Sequence, residues 1–236
     1  MSAWVPHSVI RAVGFDLDGT LFDHVGSARD GVESFFRLLG MEPTEAAVTA
    51  WFTAEQREFE RWRSGRISFQ EQRRARLRTV LPPLGVELPA GDGDLDALFE
   101  EYLRAYRGAW RAFPDSLELL RQLRSTGYRV GVLTNGSTVQ QHDKLDRTGL
   151  AAELDAVCVS ESIGVQKPDP RAFGALADAL DVPPADCLFV GDDPTTDVAG
   201  ARAAGMRSLL IDRGGQDEAG ITRRVLAELS AAPGRG

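Results

Sequence analysis

Val9-Ile10-Arg11-Ala12-Val13-Gly14-Phe15-Asp16-Leu17-Asp18-Gly19-Thr20 turns from apolar to acidic within a dozen residues. Residues 9–15 have the Val, Ile and Phe content of a strand buried on both faces. Asp16 and Asp18 stand directly behind that strand's end. Four more short apolar runs follow, at residues 128–133, 156–160, 188–190 and 207–211. Helical spacing separates the last four, over residues 140–147, 171–180 and 197–204. Strand–helix–strand alternation predicts an α/β fold with a three-layer Rossmann-like core, helices covering both faces of a parallel sheet.

The first strand is cut off from the others by a segment of different character. Residues 24–109 carry helical patterns and no convincing strand. Trp51, Phe52, Phe59 and Trp62 fall near helical spacing, as do Leu98, Tyr102 and Tyr106, which reads as the core of a helical bundle. Residues 82–93 are rich in Pro and Gly and read as a loop. The expected organisation is a core over residues 1–23 and 110–236, interrupted by a helical cap over residues 24–109.

Bulk properties narrow the partners. A net charge of −8 excludes a general nucleic-acid binder, which needs a basic balance. No apolar run approaches a membrane span, and residues 1–13 lack a signal-peptide pattern. Cys158 and Cys187 lie in or beside apolar runs without paired-ligand spacing. They read as buried, reduced thiols, so the expected compartment is the cytoplasm. Of 27 basic residues only Lys144 and Lys167 are lysine, and Asn135 is the only asparagine. Such rare choices carry information in a chain that otherwise uses arginine.

In open parallel sheets ligands bind outside the carboxyl ends of the strands. The chemically distinctive residues fall there. Asp16-Leu17-Asp18-Gly19-Thr20 follows the first strand and Thr134-Asn135-Gly136-Ser137 the second. Lys167-Pro168-Asp169-Pro170 comes shortly after the third, and Gly191-Asp192-Asp193-Pro194-Thr195-Thr196-Asp197 after the fourth. Singly, each is ordinary: a solvated turn, a loop, a helix cap. Four in order, each behind a strand, define a site. Its five carboxylates, Asp16, Asp18, Asp192, Asp193 and Asp197, face one lysine, an excess of four negative charges if all are ionised. Crowding of that kind calls for a hard divalent cation, and oxygen-only ligands favour Mg²⁺.

These segments resemble the motifs of the haloacid dehalogenase superfamily, in its phosphatase branch. Asp16-Leu17-Asp18-Gly19-Thr20 is similar to the first motif, Leu133-Thr134-Asn135-Gly136 to the second and Lys167-Pro168 to the third. Gly191-Asp192-Asp193 with Asp197 is similar to the fourth. The resemblance implies a Mg²⁺-dependent phosphatase acting on a small phosphorylated metabolite, such as a nucleotide or sugar phosphate. It implies Asp16 as nucleophile and Asp18 as general acid and base. Thr134, Asn135 and Lys167 would bind the phosphoryl group. The side chains of Asp16 and Asp192 and the backbone carbonyl of Asp18 would hold Mg²⁺, with Asp193 and Asp197 supporting them.

Other readings are weaker. A 2-haloacid dehalogenase has no use for a metal or for an acid at Asp18. A phosphomutase would share the intermediate, and a non-catalytic phospho-ligand sensor would have no need of intact Asp16, Asp18, Lys167 and Asp192. Asp92, Asp94 and Asp96 hint at a calcium loop, but Ala97 stands where glycine is needed and Leu103 where glutamate belongs. Lys144 reads as part of a solvated helix face, and so does the run Arg73, Arg74, Arg76, Arg78. His24 reads as a structural residue at the hinge. Arg63, Gly65 and Arg66 fall in an inter-helix turn, where contacts to a leaving group are expected.

Overall fold

The computed structural model describes residues 9–214 and 220–231. Five strands form one sheet: β1 Ala12–Phe15, β2 Arg129–Thr134, β3 Ala156–Val159, β4 Cys187–Gly191 and β5 Arg207–Leu210. Their order is β3-β2-β1-β4-β5, and every neighbouring pair is parallel. The strand expected at residues 9–15 is shorter. The Arg11 N–H donates to the Asp186 carbonyl at 2.8 Å, and strand pairing begins at Ala12. Among the described residues there are ten α-helices: α1 His24–Leu38, α2 Glu45–Arg63, α3 Phe69–Val80, α4 Asp92–Gly108, α5 Ser116–Ser125, α6 Thr138–Arg147, α7 Ser160–Ile163, α8 Pro170–Ala179, α9 Gly200–Ala203 and α10 Gly220–Ser230.

The three central strands, β1, β2 and β4, bury both faces, as parallel sheets do. Ala12, Leu133, Cys187 and Phe189 pack with Phe173, Leu176 and Leu180 at α8. The alternate residues Val13, Phe15, Val132, Leu188 and Val190 are fully buried too and point to the opposite face. Cys158 and Cys187 are free and buried in this core, and burial pushes the Cys187 thiol up to about 12. Helices α5 and α10 are additional to the elements expected. Each carries its apolar residues on one face: Leu119, Leu120 and Leu123 in α5, and Ile221, Val225 and Leu229 in α10.

The described chain divides into two compact units, one of residues 25–110 and one of the remaining residues. In the core unit the outgoing and returning strands of the connection pair with each other. The Asp23 N–H donates to the Arg111 carbonyl at 3.0 Å and the Phe113 N–H to the Leu21 carbonyl at 2.9 Å.

The other unit is helical throughout. Its centre holds Phe35, Phe36, Trp51, Leu77, Phe99 and Tyr102, with the Trp51 and Tyr102 rings 4.7 Å apart. Trp62, expected in this core, is 36% exposed. The arginine run is not a solvated face. Arg76 is 2% exposed, lies over Phe99 and Trp51 at 5.2 and 5.4 Å, and pairs with Glu55 at 3.0 Å. Arg74 grips Asp96 through two nitrogens, and Arg78 bonds Asp92 and Glu71. Of the acidic residues of the supposed calcium loop, Asp92 and Asp94 are therefore in the first turn of α4, and Asp92 and Asp96 pair with arginines of α3. The loop expected at residues 82–93 contains one 3₁₀ turn, Pro82–Leu84, before α4 begins. Among the described residues no helix is long and apolar enough to cross a membrane.

Candidate active site

The site is built at the carboxyl ends of β1, β2 and β4. Asp16 follows β1 directly, and its N–H still donates to the Val190 carbonyl of β4 at 2.9 Å, so the strand registers its backbone. The chain then turns tightly. The N–H groups of Thr20, Leu21 and Phe22 all donate to the Leu17 carbonyl, and Gly19 has φ +90°. A Cβ on Gly19 would come within 2.3 Å of Asp192 Oδ2. Only glycine permits both that φ and the approach of the Asp192 carboxylate.

The Lys167 ammonium is buried between two carboxylates. It donates to Asp16 Oδ1 at 2.5 Å and to Asp197 Oδ1 at 2.7 Å. Burial works against this ammonium, but Asp16 and Asp197 together raise its pKa. One cation serving two buried anions leaves a shortfall of positive charge. Burial, helped by Asp197, pushes the Asp16 carboxyl up to about 7 despite Lys167. Asp16 Oδ2 is buried and has no hydrogen-bond partner among the described residues.

The fourth segment forms a wound turn. Asp193 Oδ1 accepts from the Thr195 and Thr196 N–H groups, each at 2.7 Å, and caps a π-helical turn, Pro194–Ala199, that runs into α9. These bonds hold the Asp193 carboxyl below its ordinary value. Asp197, on that turn, is 1% exposed and accepts from the Asp193 N–H through its second oxygen at 3.1 Å. Asp192 is exposed, yet partial burial and the nearby Asp197 raise its pKa.

The second segment supports rather than reaches outward. Asn135, expected at the phosphoryl group, has both ends of its amide engaged. Its Oδ1 accepts from the Lys167 N–H at 2.9 Å, and its Nδ2 donates to the Lys167 carbonyl at 3.0 Å. The sole asparagine thus fixes the loop carrying Lys167. Thr134, 1% exposed, accepts from Gln141 Nε2 at 2.6 Å.

The haloacid dehalogenase-like hydrolase family matches this chain over residues 10–205. The chain belongs to that family. A phosphatase of Mycobacterium tuberculosis is 36% identical, covering 91% of this chain and 93% of its own. Haloacetate dehalogenase H-2 of a Moraxella species is 32% identical, covering 90% and 91%. The magnesium-bound hydrolase YfnB of Bacillus subtilis shares the fold, with a TM-score of 0.68 at 22% identity over 92% of this chain and 93% of that one.

One feature of this haloacid dehalogenase-like hydrolase overturns the sequence reading. Lys144 does not lie on a solvated face. It is 2% exposed, and its ammonium donates to Asp18 Oδ1 at 2.6 Å. Gln141, one turn earlier, donates to Asp18 Oδ2 at 2.9 Å, and His24 Nδ1 lies 3.6 Å from Asp18 Oδ1. Burial works to raise the Asp18 carboxyl, but Lys144, His24 and Gln141 together bring it below its ordinary value. Two ammonium groups, not one, therefore face the five carboxylates. Arg213 is a further support: it donates to the Thr20 carbonyl at 2.7 and 3.0 Å and grips Asp115.

The residues present fit a hard divalent cation. Asp16, Asp192 and Asp197 offer ligand oxygens that all lie within 4.8 Å of one another. The donors are oxygen alone. Asp16 Oδ2 is the buried acceptor left over, and the charge short at Asp16 is positive. Both Asp197 oxygens are already bonded, which leaves it as a support.

Proposed function

We infer that this hydrolase cleaves small-molecule phosphate monoesters, a nucleotide or sugar phosphate among them, through an aspartyl phosphate formed on Asp16. The observation that carries this reading is Asp16 itself. It is fixed by the central strand, one oxygen bonded to Lys167 and the other buried without a partner. In the first step an Asp16 oxygen bonds to phosphorus while the bond to the ester oxygen breaks. The dianionic phosphate raises the Asp18 carboxyl from its depressed value in the free site, and Asp18 then gives its proton to that departing oxygen. In the second step water attacks phosphorus, Asp18 takes the water's proton, and the Asp16 carboxylate leaves as inorganic phosphate forms. The Thr134 hydroxyl and the Lys167 ammonium bind phosphoryl oxygens. Mg²⁺, held by Asp16, Asp192 and the Asp18 carbonyl, would neutralise charge on the phosphoryl group.

Similarity to a haloacetate dehalogenase supports a second reading, in which Asp16 displaces halide from carbon. That chemistry needs neither the acidic cluster of Asp16, Asp192 and Asp197 nor a proton donor at Asp18. The test is a panel of phosphorylated metabolites and haloacids. Phosphate release is expected only with Mg²⁺, to vanish with EDTA, and to be lost in Asp16→Asn checked for deamidation. Undiminished turnover after exhaustive chelation, or halide release in its place, defeats the reading.

A further inference from the structure

Building on phosphatase activity at this site, we propose that Gln141 and Lys144 are positioning residues that fix Asp18 from both of its oxygens and aim the Thr134 hydroxyl at the phosphoryl group. The two residues lie three apart on α6 and share one face. Both are 2% exposed. The helix presenting them is anchored at its start, where Ser137 Oγ accepts from the Gln140 N–H at 3.4 Å and Glu161 from the Thr138 N–H at 2.7 Å. Lys144 also lies over the Phe22 ring, 4.8 Å from its centre.

The supply of donors sets both arrangements. Gln141 Nε2 carries two hydrogens, and its shorter contacts are Thr134 Oγ1 at 2.6 Å and Asp18 Oδ2 at 2.9 Å; the Asn135 carbonyl lies farther off at 3.2 Å. Thr134 must therefore accept from Gln141. Its own hydrogen has only a 3.5 Å contact with the Asn135 carbonyl and is available to donate to a phosphoryl oxygen. Asp18, for its part, is held at one oxygen by Lys144 and at the other by Gln141, so the plane of its carboxyl group is set. When Asp18 passes its proton to the departing oxygen it becomes a carboxylate, and both donors already stand where that charge appears. No group moves to receive it.

Leaving-group dependence tests this directly. An alkyl phosphate needs a proton on its departing oxygen, whereas p-nitrophenolate leaves with little help. Values of kcat/KM report the steps up to loss of the alcohol, so hydrolysis of the aspartyl phosphate does not enter. Lys144→Met, which keeps the side chain's length and removes the ammonium, should lose about 10²-fold on alkyl phosphates, the scale of a misplaced catalytic group. Its loss on p-nitrophenyl phosphate should be several-fold smaller. Added to Asp18→Asn, Lys144→Met should cost nothing further, because it acts through Asp18. Equal losses on both esters, or a loss that multiplies with Asp18→Asn, overturns the proposal. Should Lys144→Met fail to fold by circular dichroism, Lys144→Leu carries the same comparison, and the same two patterns of loss decide it. Absence of phosphate release by the unaltered protein from every ester removes the phosphatase reading, and this proposal with it, which is a distinguishable failure.

Discussion

Lys167 spans two buried oxygens, Asp16 Oδ1 and Asp197 Oδ1, with its backbone clasped at N–H and carbonyl by Asn135. Its geometry is that of a compact point charge on a fixed stem. A guanidinium is a planar fork, longer and delocalised, and cannot fill the same space between two carboxylates. Lys167→Arg should therefore keep the charge and lose most of the phosphatase activity. Steady-state rates on any accepted ester check this, and activity close to that of the unaltered protein would show that charge alone suffices. Lys167 illustrates what a sequence reveals. It stands in a loop behind a strand, in a chain with only two lysines. Lys144 has the same rarity, but its neighbours Asp143, Asp146 and Arg147 give it the look of a solvated helix face. The signal that identifies it is shared spacing: Gln141, Lys144 and Leu145 are the buried residues of α6, and a lysine beside a core leucine needs an acidic partner.

The turn behind β4 joins a cap and a site in one element. Asp193 accepts from two N–H groups of the π-helical turn, and its own N–H bonds Asp197, which in turn holds Lys167. A cap lost to alanine costs about 0.5–2 kcal/mol, and serine is a cap of similar quality. Asp193→Ala should thus lower stability to denaturant by that amount, whereas Asp193→Ser should retain most of it. An alanine variant as stable as the parent would contradict this role. The parallel sheet is legible because its strands are apolar runs closed by turn signals, and the acidic loops follow from the strands. The buried Arg76 is not, since Trp51, Phe59 and Phe99 come to it from other helices. Local spacing marks which face a helix buries only when that face is apolar.

Charge balance at Asp16 reaches the stability of the whole chain. Its carboxyl titrates at about 7 in the folded protein against an ordinary 3.8. The folded state therefore holds an extra proton between those values, and this contribution to stability falls as pH rises from about 4 to about 7. For metal-free protein, Asp16→Asn should raise the thermal midpoint, by more at pH 8 than at pH 5. Mg²⁺ at pH 8 should lift the midpoint of the unaltered protein more than that of the variant. A gain from Asp16→Asn that does not vary with pH would contradict the charge shortfall. The interrupted core has a separate consequence, for synthesis. Ala12 of β1 pairs with Arg129 and with Cys187, so the central strand leaves the ribosome long before either neighbour. At roughly 5–20 residues per second it waits on the order of ten seconds or more for β4. Helices α1 to α4 emerge during that wait and find their own partners in one another. The apolar strand that organises the sheet is thus the part of the nascent chain left longest unpaired, and the one most in need of a chaperone's cover.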